Sequence, residues 1–233
     1  MRVGVIQSNY VPWRGYFDFI ASVDVFVIYD DVQYSPGSWR NRNQLKTANG
    51  VKWLTVPVKK KLGLAIDETE IEYAHPWIEQ NRGLIKAALG KCPHYREAIA
   101  LWEEGIRHND RTITELNVRL IRLICAYLGI GTPLRMAREF SLSGAKTERL
   151  IHLLQSLNAT TYLSGPAAKA YLEIDRFREA GIRLEFKTYD YAAYSQPFGA
   201  FAGAVSILDL IANEGTNAPA FLRSRTPDEV AAE

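Results

Sequence analysis

Ser38-Trp39-Arg40-Asn41-Arg42-Asn43 sets two guanidiniums, two amides and an indole within six residues. A guanidinium is a planar fork of donors that matches a carboxylate or a phosphate. An amide reads polar edges, and an indole offers a flat apolar face. A segment that only meets solvent more often carries Ser, Gly or Lys, so this mixture points to an anionic, polar ligand. Asp30-Asp31, a little upstream, offers carboxylates for general-base work or for orienting an amine. Neighbours on an extended chain face opposite sides, so one of the two is expected to meet a ligand and the other to bond backbone.

These residues need elements to hold them. Val3–Ile6 reads as a short buried strand, Gly15–Ser22 has helical spacing, and Val25–Tyr29 is a second apolar run that ends at Asp30. Strand, short helix, strand is the pattern of a parallel βαβ crossover. Gln33–Leu45 reads as a polar loop, Ala48-Asn49-Gly50 as a turn, and Val51–Val58 as a strand that Pro57 places at an edge or ends. Helices are expected over Pro76–Leu89, His94–His108 and Thr112–Leu128, with Gly129 as a stop. A strand at Leu134–Ala137 and a helix at Lys146–Leu157 follow. Thr161–Leu163, a helix over Ala167–Ala180 closed by Gly181, and Ile182–Tyr189 form a second βαβ pattern. Ser206–Asn213 reads as a last helix, and the last residues of the chain as frayed. The fold class is therefore α/β, a mostly parallel open sheet with a helical middle section. Three parts are expected: 1–75 with the polar loops, a helical insertion or subdomain at 76–130, and 131–233 completing the sheet.

In open parallel sheets, ligands bind beyond the carboxyl ends of the strands. Gln7-Ser8-Asn9-Tyr10, Asp30-Asp31, Ser164-Gly165-Pro166 and Tyr189-Asp190-Tyr191 each follow or end an expected strand, so one rim collects them. The candidate ligand-binding residues are Gln7, Asn9, Tyr10, Trp13 and Tyr16, then Trp39, Arg40, Asn41, Arg42 and Asn43, and finally Ser164, Gly165 and Lys169. The candidate catalytic residues are Asp30 and Asp31. Pro166 suits a first helical turn, whose free N–H groups attract anions, with Lys169 about one turn in.

Several function classes fall away. Net charge is +2 across 233 residues, too little to imply nucleic acid or a membrane surface. His75, His94, His108 and His152 have no metal-ligand spacing, so no metal is expected. Cys92 and Cys125 read as packing residues. No Gly-x-Gly-x-x-Gly follows Ile6, and no P-loop and no Gly-x-Ser-x-Gly is present, so the motifs leave any cofactor unknown. No apolar run reaches membrane-span length and no signal peptide opens the chain, so a cytoplasmic location is expected.

Gln7–Asp18, Tyr29–Tyr34 and Ser38–Asn43 together resemble the WbqC-like protein family. Trp53–Val58, Tyr162–Lys169 and Ser206–Asp209 resemble its later motifs. Tyr194-Ser195-Gln196-Pro197 departs from the Tyr-Pro-Gln more usual there, which leaves the role of Gln196 open. The resemblance implies bacterial O-antigen-type (lipopolysaccharide) polysaccharide biosynthesis. It further implies a transferase moving an N-acyl or aminoacyl group to a nucleotide-linked amino sugar, with an acyl donor or carrier protein as partner. Two alternatives stand beside it. Pro12-Trp13-Arg14-Gly15-Tyr16 faintly matches the helix start of nucleotidylyltransferases and ligases, with Trp and Tyr where histidines are usual. The same Tyr, Trp, Arg and Asn residues also suit a non-catalytic sugar-binding assembly protein.

Overall fold

The computed structural model describes residues 1–61 and 63–231. In chain order its strands are β1 (Arg2–Ile6), β2 (Val25–Ile28), β3 (Arg42–Thr47), β4 (Gly50–Thr55), β5 (Leu134–Met136), β6 (Thr161–Ser164), β7 (Arg183–Phe186) and β8 (Glu229–Val230). The α-helices among the described residues are α1 (Arg14–Ala21), α2 (Trp77–Leu89), α3 (Tyr95–Ile106), α4 (Ile113–Tyr127), α5 (Lys146–Ser156), α6 (Ile174–Glu179) and α7 (Ile207–Glu214). Six strands form one sheet in the order β5-β2-β1-β6-β7-β8, parallel throughout except for β8. The chain is thus mixed α/β with a mostly parallel central sheet, as its pattern predicts.

Side chains alternate across the sheet, as the pleat requires. Val3, Val5, Val27, Tyr162 and Leu184 pack with Leu150, Leu153 and Leu154 of α5 and Phe177 of α6. Phe26, Ile28 and Leu163 face the other way, into a larger cluster with α1, α2, α3, α4 and α7. Both faces are covered, which is why the strands read as short continuous apolar runs. Gly4 sits where α1 comes closest: a Cβ there would lie 2.4 Å from the Phe19 ring. The helical middle of the chain shares the larger cluster with the hairpin residues Leu45 and Leu54 and with α7.

Three expectations needed correction. Arg42–Leu45 is strand, not loop: β3 pairs antiparallel with β4 as a two-stranded hairpin outside the main sheet. Its inward positions include Asn43 and Lys46 beside Leu45, so no apolar alternation marks it. Ala167–Ala180 is not one helix. Pro166–Ala170 is a 3-10 turn, and α6 begins only at Ile174. Ala168 and Phe177 both bury in the smaller cluster. Nine residues apart on a continuous α-helix, they would face opposite sides, since each residue advances about 100°. The break lets both point inward. The segment after α7 is not frayed throughout, for Glu229 and Val230 pair with Phe186 and Glu185.

Candidate functional site

The strand order reverses beside β1. From β1 the chain goes outward to β2 and then β5, and it later fills the other side with β6 and β7. The carboxyl ends of the parallel strands share one rim, and such a reversal leaves a crevice between neighbouring loops. Gln7–Trp13 leaves β1 there, Tyr29–Asp31 leaves β2, Gly165 leaves β6, and Lys187–Tyr191 leaves β7.

On the β1/β2 side, Asp30 is buried and fully engaged. It accepts from the Ser8 N–H (2.7 Å), the Ser8 hydroxyl (2.6 Å) and the Thr114 hydroxyl (2.7 Å). Burial raises its pKa above the ordinary carboxylate value, against the pull of those bonds and of Arg40. Asn117 on α4 donates to Ser8 Oγ (3.1 Å) and to the Arg40 carbonyl (2.8 Å), tying the β1 turn to the Arg40 segment. Asp31 faces elsewhere. It binds Arg149 at 2.6 Å, and Arg149 also donates to the Tyr29 hydroxyl at 2.7 Å. Asp31 keeps partial solvent access, with 17% of its side chain exposed.

The Arg40 guanidinium donates to the Gln7 side-chain oxygen, while its Nε is buried without a partner. Tyr16 is buried and donates to the Gln7 carbonyl at 3.1 Å. The Trp39 carbonyl accepts from the Tyr10 N–H at 3.0 Å, which holds this segment over the end of β1. Burial raises the Tyr34 phenol pKa, and the positive charges of Arg42 and Arg40 oppose that rise. Arg42 lies 4.2 Å over the Trp53 ring, and Trp39 and Trp53 stand 5.4 Å apart with both rings exposed.

Several expected contacts turn inward. Tyr10 is buried, and its hydroxyl accepts from Trp102 Nε1 (2.7 Å) and Asn81 (3.2 Å). Asn41 donates to the Val56 carbonyl and Asn43 to the Tyr10 carbonyl. These side chains fasten the hairpin to the β1 turn. Asn9 stays on the rim, its side-chain oxygen buried without a partner.

On the β6/β7 side, Trp13 packs edge-on against Tyr189 (4.9 Å) and Tyr191 (5.8 Å). Its ring lies flat over Gly15 at the start of α1, where a Cβ would come within 2.3 Å of it. Any side chain at position 15 would lift the indole. Ser164 is buried and bonds the Tyr162 hydroxyl (3.2 Å). Lys169 pairs with Glu229 of β8 at 2.5 Å, apart from the Gln7–Asn43 groups. Arg14, which its sequence context did not single out, is 4% exposed and stacks on Tyr191, Tyr194 and Phe201 while donating to the Ala192 and Phe221 carbonyls.

Most arginines pair with a carboxylate. Among the described residues, those that lack such a partner and yet are not exposed are Arg14, Arg40 and Arg42. All three stand in the Gln7–Asn43 block. Burial lowers the pKa of Arg14 and of Arg40, the cost of keeping a cation from water without an ion pair. A groove of about 660 Å³ elsewhere, at the amino end of β7, is lined mainly by Ile174, Phe177, Ile182 and Leu184 and carries no comparable cluster.

The fold and site define a mixed α/β protein with a basic, aromatic rim at its strand reversal. More particularly, the profile of the WbqC-like protein family matches residues 7–221, and the chain belongs to that family. An uncharacterized protein of Mycobacterium tuberculosis is 44% identical over 227 residues, which cover 95% of this chain and 97% of that one. No solved structure matches the chain. No helix among the described residues is long and apolar enough to cross a membrane.

Proposed function

We propose that the rim binds a nucleotide-linked amino sugar and that the protein transfers an acyl or aminoacyl group to the sugar nitrogen, as an enzyme of bacterial O-antigen-type polysaccharide synthesis. One observation carries the binding half of this reading: Arg40 and Arg42, on the β1/β2 side of the strand reversal, are partly buried with no ion-pair carboxylate, and Arg14 is buried in the same way on the β6/β7 side. A sequestered cation destabilises the free protein, and an anionic ligand relieves that cost.

In this reading the partly exposed Asp31, aimed by Arg149, receives the amine. Asp30 is a positioning residue, because its oxygens already serve Ser8 and Thr114. Transfer also needs donors for the developing oxyanion. The Asn41 and Asn43 amides bond carbonyls within the chain, so Asn9 and the backbone at Gly165 are the better candidates. The test is incubation with nucleotide-linked amino sugars and candidate acyl or aminoacyl donors, followed by mass spectrometry of the sugar. The expected result is a mass gain that Asp31→Asn abolishes. Binding of the sugar nucleotide without a mass gain for any donor defeats the transferase reading.

A second reading has its own observation. The order β5-β2-β1-β6-β7, with Pro12–Tyr16 opening α1 beside the reversal, also suits a nucleotidylyltransferase or ligase. Pyrophosphate release from ATP or CTP would support it, and silence with both retires it.

A further inference from the structure

Trp39 and Trp53 are 44% and 41% exposed and adjacent, Trp53 on β4 of the hairpin outside the main sheet and Trp39 in the turn that leads into β3. β4 turns only Leu54 inward, so Trp53 contributes nothing to the core. Two neighbouring open indoles form the kind of apolar patch that marks an interaction site. The pair is unequal in use. Arg42 covers one face of Trp53 at 4.2 Å, whereas Trp39, tilted 41° to it, is the more open ring. Arg42 is fixed by this stacking and has a buried, unpartnered Nε. Arg40, two residues earlier, is fixed by Gln7. The two arginines are two residues apart, both charges oppose the rise in the Tyr34 pKa, and neither forms an ion pair with a carboxylate.

We infer that this corner is a nucleoside-diphosphate subsite. The base stacks on Trp39, Trp53 buttresses it, and Arg42 and Arg40 hold the two phosphates. This rests on the proposed reading of the rim as a nucleotide-linked sugar site and adds where the nucleotide lies. The chemistry fits the parts: a base supplies the flat face that an open indole lacks, and a diphosphate supplies the charge that two preset forks lack. The sugar then projects from the diphosphate toward Gln7 and Asn9, since the Trp39 carbonyl is bonded to Tyr10 at the end of β1.

Titration of the full chain with UDP, dTDP, GDP, CDP and ADP, read by tryptophan fluorescence and calorimetry, tests the assignment. Inorganic pyrophosphate serves as a probe for the phosphate half alone. At least one nucleoside diphosphate is expected to saturate and quench fluorescence. Trp39→Leu should weaken it about tenfold or more yet leave pyrophosphate binding unchanged, with Trp39→Phe restoring most of the loss. Arg42→Gln should weaken the nucleotide and pyrophosphate alike. Circular dichroism melts establish that each variant is folded. The inference is overturned if no nucleoside diphosphate saturates at millimolar concentration, or if Trp39→Leu and Arg42→Gln bind as wild type. It is also overturned if the indoles instead mediate self-association that Trp39→Leu abolishes while nucleotide binding persists. The two proposals separate cleanly. A mass gain on the sugar with an unchanged KM in Trp39→Leu removes the subsite and leaves the transferase; nucleotide binding without any mass gain does the reverse.

Discussion

The two halves of the sheet's carboxyl rim treat charge in opposite ways. Beside β6, β7 and β8, nearly every charge is closed into a network. Lys187 is buried between Asp18 (2.9 Å) and Asp228 (3.1 Å), and Asp228 also binds Arg2 at 2.7 Å. Tyr191 adds its hydroxyl to Asp18 at 2.7 Å. Beside β1 and β2, Arg40 and Arg42 stand without carboxylates and two indoles face solvent. A satisfied network ties α1, β7 and the last strand together and leaves a ligand nothing to bind. An unsatisfied one is a standing cost to the fold, retained where a ligand completes it. The first is architecture, and the second is the feature on which the proposed site rests.

The sharpest way to break that contrast is Lys187→Met. Removing the cation leaves the Asp18 and Asp228 carboxylates without the ammonium between them, and chemical denaturation should show a loss of about 3–5 kcal/mol. Nucleotide-sugar binding by the fraction still folded should be unaffected. Arg40→Gln is the mirror case. Affinity for the ligand should fall about tenfold to a hundredfold, as expected for a charge-assisted contact worth about 1.5–3 kcal/mol. The melting temperature should hold or rise, because a desolvated cation has been removed. If Arg40→Gln instead unfolds the protein with binding intact, the two halves do not differ in the way described.

How far these halves were legible in the sequence follows from the same physics. β1, α1 and β2 were plain because both sheet faces are buried and short apolar runs result. The Arg40–Asn43 block was plain because its residue types are unusual. What the sequence hid was direction. Asn41 and Asn43 look like ligand readers, but the hairpin needs their amides to bond the carbonyls of Val56 and Tyr10. β3 itself was hidden by those inward polar positions. Arg14 and Lys187 gave no local signal, since their partners lie at Ala192, Phe221 and Asp228, far along the chain. Spacing reports a periodic face; it does not report a long-range partner.

Tyr10→Phe tests the inward-turned residues. Trp102 Nε1 and the Asn81 amide would lose their shared acceptor in a buried place, at about 1–3 kcal/mol by denaturation. Ligand affinity should change little if Tyr10 only supports the hairpin, and a binding loss that exceeds the stability loss would restore it to the site.

Asp209 gives the pH test. It is buried on α7, where Tyr194 (2.8 Å) and Gln196 (2.7 Å) donate to one oxygen while the other has no partner. Burial raises its pKa, so the folded state holds the proton more tightly than the unfolded one. Its contribution to stability is therefore present below the unfolded carboxylate value, about 3.9, and declines as the pH rises through the raised folded value. Asp30 has the same sign. Melting curves of Asp209→Asn against wild type should move in the variant's favour as the pH is raised from the acid range to neutrality, and a constant difference would show that the carboxylate is not strained.

The smallest expected effect closes the comparison on the β6 side. Lys169 is exposed and pairs with Glu229, also exposed, so Lys169→Ala should cost at most about 1 kcal/mol. The sequence places Lys169 at the start of a helix where it would assist an anion, whereas the 3-10 turn sends it to β8. Unchanged ligand affinity in Lys169→Ala would confine the anion to the arginines of the β1/β2 half. A loss comparable to that of Arg40→Gln would mean that the ligand breaks the Lys169–Glu229 pair on binding, and the contrast between the two halves would then describe only the free protein.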